Sequence, residues 1–152
     1  MAISIQYNLT GVGWSECIVE IDNQKAHLTA SYLSNTLASL LEAVTTVVRG
    51  ANEAAAFFTE EPGGYRWRLT RVSKKLLNIR ILWFDESFRD RPDGDDRVIL
   101  EVQCRLRTFA GAVLSASQRI LETYGLEGYR EKWVKHEFPV RFQAKLQESL
   151  SR

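Results

Sequence analysis

The chain is poor in most of what specialised chemistry requires. It has two histidines and two cysteines. Neither His27 nor His136 has a Cys, His, Asp or Glu at a spacing that recurs in zinc sites. No metal site is expected. Cys17 and Cys104 lie far apart, each in a segment that reads as a strand, and no secretory signal accompanies them. Two buried free thiols are therefore expected in preference to a disulfide. No serine sits in a Gly-x-Ser-x-Gly elbow, and neither cysteine has an evident histidine partner. Gly11 and Gly13 are not followed by a helix, so they do not form a phosphate or dinucleotide loop. No cofactor is expected, and the balance leans away from an enzyme.

Excess charge is missing as well. Twenty Lys and Arg against 19 Asp and Glu give a formal net charge of +1, which exerts no long-range pull toward nucleic acid or anionic membrane. No stretch approaches the roughly 18 uninterrupted apolar residues of a membrane helix. Met1 to Tyr7 alternates polar and apolar residues and lacks the basic start and apolar run of a signal peptide. The expected location is cytoplasmic, with no membrane partner.

What is present is an ordinary globular composition. Apolar residues make up 45% of the 152 and charged residues 26%, so one domain over 1–152 with one core is expected. A chain of this length buries roughly 70% of its unfolded surface, enough to dispense with metals and disulfides.

Hydrophobic periodicity then orders the elements. Ile3 to Thr10 reads as a strand with Ile3, Ile5, Tyr7 and Leu9 on one face. Gly11-Val12-Gly13 is a turn, and Trp14 to Asp22 a second strand with Cys17, Val19 and Ile21 inward. After a tight turn at Asp22-Asn23-Gln24, Lys25 to Leu33 returns as a third strand. Leu37, Leu40, Leu41, Val44, Val47 and Val48 form a helical stripe, capped by Ser34 or Asn35 and closed by Gly50.

Ala54 to Glu61 is a strand ended by Pro62-Gly63-Gly64. Tyr65 to Val72 alternates Tyr65, Trp67 and Leu69 against Arg66, Arg68 and Thr70. Ser73-Lys74-Lys75 turns the chain, and Leu77, Ile79, Ile81 and Trp83 then face inward. Ser87 to Asp96 reads as a polar loop. Its acids Asp90, Asp93, Asp95 and Asp96 lack the spacing of a calcium loop and are offset by Arg89, Arg91 and Arg97. Val98 to Arg107 is the last strand. Thr108 is placed to cap a helix ending at Gly125, a shorter helix follows around Gly128 to Lys135, and Pro139 opens a last one carrying Phe142, Leu146 and Leu150.

Hairpin runs with segregated helices define the class α+β. The expected architecture is a single curved antiparallel sheet of about six or seven strands. One central helix and two or three C-terminal helices would pack on one of its faces.

Two features suggest a site. Arg66, Arg68, Arg80, Arg105 and Arg107 fall on the outer face of the later strands, and a guanidinium fork suits carboxylate or phosphate partners. The competing structural reading is cross-strand pairing with Glu16, Glu20, Glu60 and Glu101. The chain also carries four tryptophans. Trp67 and Trp83 read as core, whereas Trp14 and Trp133 fit partly exposed positions, where aromatics favour interfaces.

The expected function is therefore a non-enzymatic binding or interaction module, immunity- or adaptor-like in size and architecture. Its site would comprise Arg66, Arg68, Arg80, Arg105, Trp14 and Trp133, and its partner would be a protein or a second copy of the chain. One alternative is a small-ligand binder or enzyme with a pocket between sheet and helices, using Tyr65, Glu61, Arg66 and Arg68. Another is a nucleic-acid binder, which the near-zero net charge disfavours.

Overall fold

In the computed structural model the alternating N-terminal segment forms three strands, β1 (Ile3–Gly11), β2 (Trp14–Ile21) and β3 (Gln24–Ser31). The structure describes residues 2–85, 92, 93, 97–134 and 136–152. The polar loop expected over 87–96 lies outside these, apart from Pro92 and Asp93. Helix α1 (Thr36–Val48) follows, then β4 (Glu53–Thr59), β5 (Gly64–Arg71), β6 (Leu76–Phe84) and β7 (Val98–Arg105). Helices α2 (Leu106–Trp133) and α3 (Val140–Leu150) complete the fold.

The class is α+β, with antiparallel pairing throughout. The single sheet expected from the sequence is not formed. The strands make a three-stranded sheet, β1-β2-β3, and a four-stranded sheet, β4-β5-β6-β7. The reason lies at the edges, where unpaired backbone groups would otherwise recruit another strand. Ser39 and Ser34, from α1 and the segment before it, accept from the β4 amides of Phe57 (3.0 Å) and Thr59 (3.3 Å). On the far side of the first sheet, Arg119 and Tyr124 of α2 donate to the β1 carbonyls of Ile5 (2.6 Å) and Leu9 (3.2 Å). The helices thus occupy strand edges as well as a sheet face.

β3 links the sheets through side chains. Gln24 accepts from the amide of Glu101 in β7 at 3.3 Å. Further along, Thr29 donates to the Glu60 carboxylate beside β4.

The inward faces of both sheets, the stripe of α1 and one side of α2 share one apolar core. An aromatic series crosses it, from Tyr7 to Phe58, Trp67 and Phe109, with ring centres 5.5 to 6.5 Å apart. Each fully buried side chain of this kind contributes roughly 1.5–3 kcal/mol.

Two boundaries shift from the sequence reading. β7 ends at Arg105 and α2 starts at Leu106, ahead of Thr108, with the Leu106 amide donating to the Lys75 carbonyl at 2.9 Å. At Gly125, where the sequence reading ends one helix before a second, α2 is broken by a non-helical residue. Gly125 sits at φ 68°, ψ 176°, a region that is essentially restricted to glycine. Pro139 occupies the position before the first turn of α3 instead of within it.

Candidate functional site

Register places Arg66, Arg68 and Arg80 on the outer face of the four-stranded sheet, with Arg68 opposite Arg80 and Arg80 opposite Glu101. They are not equivalent. Arg66 is only 3% exposed. A second small apolar cluster, Leu82 and Phe84 with Phe57 and Val98, packs on this outer face. The Arg66 guanidinium lies 4.9 Å from the centre of the Phe84 ring and 5.7 Å from that of Phe57, close enough for cation–π attraction.

Its counter-charge comes from far along the chain. Arg66 Nη1 donates to Asp93 Oδ1 at 2.7 Å, and Arg68 Nε donates to the other carboxylate oxygen at 3.3 Å. Partial burial pushes the Asp93 carboxyl up, but the hydrogen bonds and charges of the two arginines outweigh it and hold the group below its ordinary range. Arg80 Nε stands 3.8 Å from Glu101, an ion pair without a tight hydrogen bond.

Of the other two arginines, Arg105 keeps the outer face, opposite Leu76 and two alternations beyond Glu101, and Arg107 leaves it. Arg105 is exposed at the end of β7. Arg107 lies in the first turn of α2 and donates to the carbonyl of Leu150 at the end of α3. Of the acids expected to pair with the band, only Glu101 is seen doing so among the described residues. Glu16 bonds His27 in the other sheet at 3.0 Å.

The aromatics divide in the same way. Trp133, expected at a partly exposed position, is fully buried. It is drawn inward because the kink at Gly125 turns the end of α2 onto the core, where Tyr129 also stacks edge-on against Phe138. Trp83, expected in the core, is half-buried, with its ring 4.9 Å from that of Tyr65 and its indole N–H donating to Asp85 at 2.7 Å.

Trp14 is the exposed one, at 38%. It does not stand alone. The Gly13 amide donates to the Lys132 carbonyl at 2.6 Å, and the Tyr32 amide donates to the Gly13 carbonyl at 2.9 Å. These two bonds bring the β1–β2 turn, the end of β3 and the end of α2 to one corner. Gly13 is required there: its φ is 82°, and a Cβ would come within 2.9 Å of the Tyr32 ring. Val12 (70% exposed), Leu33 (50%) and Val134 (48%) are exposed apolar residues within two positions of these bonds, as Trp14 is. Val134 adopts φ 65°, a strained choice for a β-branched residue. In the sequence, Val12, Leu33 and Val134 stand in three separate segments, and no periodicity links them.

Thr29, Glu60 and Tyr65 meet where β3 faces the four-stranded sheet. At Tyr65, burial raises the phenol's pKa, a hydrogen bond with Thr29 opposes that, and the charge of Glu60 adds to the rise. Glu61, its neighbour, is exposed. Among the described residues, no group of three or more His, Cys, Asp or Glu is placed to hold a metal ion. Both cysteines are buried free thiols. Burial pushes Cys17 up to about 12, and burial with the nearby Asp22 charge pushes Cys104 up to about 11, so neither is a thiolate near neutral pH. No helix among the described residues is long and apolar enough to cross a membrane.

A second charged region went unnoticed in the sequence because its parts come from distant segments. Residues 71–76 and 105–107 carry Arg71, Lys74, Lys75, Arg105 and Arg107, with no Asp or Glu among them. Arg71 donates to the Val47 carbonyl at the end of α1 (2.7 Å), as Arg107 does to Leu150 at the end of α3. Cations at helix C-termini are favourable because the orphan carbonyls there are partly negative. Beside them an open cleft of about 460 Å³ is lined by Ser73, Lys74, Lys75, Leu76 and Arg105.

Compared with known proteins, the chain matches no protein-family model, no curated protein and no solved structure.

Proposed function

We propose that this protein is a binding module that acts through contact with another protein, and that Trp14 is the centre of the contact surface. The observation that carries the reading is the convergence of Trp14, Val12, Leu33 and Val134 on one corner. Single exposed apolar residues are ordinary, but several gathered around an exposed tryptophan mark an interaction site. Tryptophan is also among the commonest anchors of binding energy. The strained backbone at Val134 adds support, since such conformations concentrate at functional positions. Four side chains make the centre of an interface, not its whole extent, which typically needs about 800 Å² per partner.

The arginine face supports the reading less directly. Arg66 and Arg68 already hold Asp93, so their first role is in the fold. The partner class is another polypeptide, with a second copy of this chain the first to test.

The experiment compares wild type with Trp14→Ala. Native mass spectrometry reads self-association, and cross-linking in a cell extract reads other partners. An assembly formed by wild type and lost in Trp14→Ala, at unchanged melting temperature, supports the proposal. Assemblies formed equally by both proteins overturn it.

A further inference from the structure

The cationic hairpin between β5 and β6 is independent of the Trp14 corner, and its construction narrows what it can receive. Its tip is held from behind. The Lys74 carbonyl accepts from Arg71 Nη2 at 2.9 Å, and the Lys75 carbonyl accepts from the Leu106 amide at 2.9 Å. The Val72 amide bonds the Leu76 carbonyl across the turn at 2.9 Å. With consecutive carbonyls turned inward, the ammonium groups of Lys74 and Lys75 project outward beside Arg105, around the cleft of about 460 Å³. Cations fixed on a pinned turn lose less freedom on binding than those on a mobile loop.

Charge segregation makes this region unusual for the chain. The whole protein carries a net +1, yet residues 71–76 and 105–107 hold five cations and no acid. Arg71 and Arg107 are engaged with helix-end carbonyls, and Lys74, Lys75 and Arg105 line the cleft. The rim is also apolar, with Val72 and Leu76 both exposed there.

We infer that this hairpin is a docking site for an acidic polypeptide segment carrying an aliphatic side chain among its carboxylates. Charge complementarity selects the carboxylates, and the Val72–Leu76 rim selects the aliphatic group. A nucleic-acid strand is the weaker fit. Binding of a single strand combines a cationic groove along its backbone with exposed aromatic rings on which its bases stack. Among the described residues the exposed neighbours of these cations are aliphatic.

The test is an amide NMR titration of the full chain with a synthetic peptide of Glu-Glu-Leu repeats, with inorganic phosphate and oligo-dT run at the same ionic strength. The expected result is peptide-induced shifts centred on 72–76 and 104–107. Affinity should fall about tenfold or more in Lys74→Glu/Lys75→Glu and several-fold in Val72→Ser. Both lysines are exposed, and Lys74→Ala/Lys75→Ala serves as a second variant, with an intermediate loss expected. Trp14→Ala should bind the peptide as wild type does, which separates this site from the proposed contact surface. Peptide binding undiminished by either lysine variant overturns the inference. So does tighter binding of phosphate or oligo-dT than of the peptide at these residues.

Discussion

Replacing Asp93 by Asn removes one charge and almost no volume, and its cost follows from what Asp93 faces. The Arg66 side chain is 4% exposed, that of Asp93 20% and that of Arg68 33%. A buried ion pair broken on one side costs about 3–5 kcal/mol, because the remaining charge stays desolvated and uncompensated. Two features reduce that here. Asp93 keeps some contact with water, and the Asn carbonyl can still accept one bond from Arg66. The expected loss is therefore about 2–3 kcal/mol, or roughly 4–12 °C in melting temperature for a domain this size.

Arg66→Met keeps an unbranched stem among Leu82, Phe84 and Phe57 and removes the charge that needs compensation. The double variant Arg66→Met/Asp93→Asn is expected within about 1 kcal/mol of wild type, since apolar replacement of a buried pair is often neutral or better. Urea unfolding followed by tryptophan fluorescence gives all four corners of the cycle.

The pH dependence has a definite sign. Arg66 and Arg68 depress the folded-state value of Asp93 below its ordinary 3.8. Its stabilisation is then fully present above that value and is lost as pH falls through the depressed one. The gap between wild type and Asp93→Asn should stay constant from neutral pH down to about 5 and narrow below about 4. An Asp93→Asn loss under about 0.5 kcal/mol, or a double variant no better than Asp93→Asn alone, would refute the reasoning.

Other consequences are simpler to read. Gly125→Ala should destabilise by about 1–3 kcal/mol because φ 68°, ψ 176° is closed to alanine. Gly111→Ala, in the same helix with open space where its Cβ would go, should stabilise by about 0.5–1 kcal/mol; thermal unfolding of the two variants checks the contrast. The Tyr129 hydroxyl is buried and has no hydrogen-bond partner among the described residues, so Tyr129→Phe should leave the urea midpoint unchanged or raise it. A loss above about 1 kcal/mol would show that the hydroxyl is hydrogen-bonded after all. Cys17 and Cys104 should resist a thiol reagent in the folded protein at pH 7 and both react once it is unfolded in urea, as burial and raised thiol values require.

The local elements were legible in the sequence because each depends on neighbours within a few positions. Alternation placed Cys17, Val19 and Ile21 inward, and the helical stripe from Leu37 to Val48 lies against the core as its spacing requires. The Gly-containing turns at 11–13 and 62–64 and the break at Gly125 were readable for the same reason: a positive φ leaves its mark on residue choice.

What the tertiary structure alone decided is which distant segments meet. Two sheets form in place of one because hydroxyls near α1 and the side chains of Arg119 and Tyr124 occupy strand edges, and no periodicity encodes an edge. Arg66 alternates with Trp67 as a surface residue would, yet it is buried because Leu82, Phe84 and Asp93, all distant in sequence, cover it. Trp133 is drawn inward by the kink, whereas the segments carrying Leu33 and Val134 reach the corner of Trp14 because Gly13 bonds both Tyr32 and Lys132. A residue's type and spacing set its preference for water or core; whether the preference is met depends on what the rest of the chain brings to it.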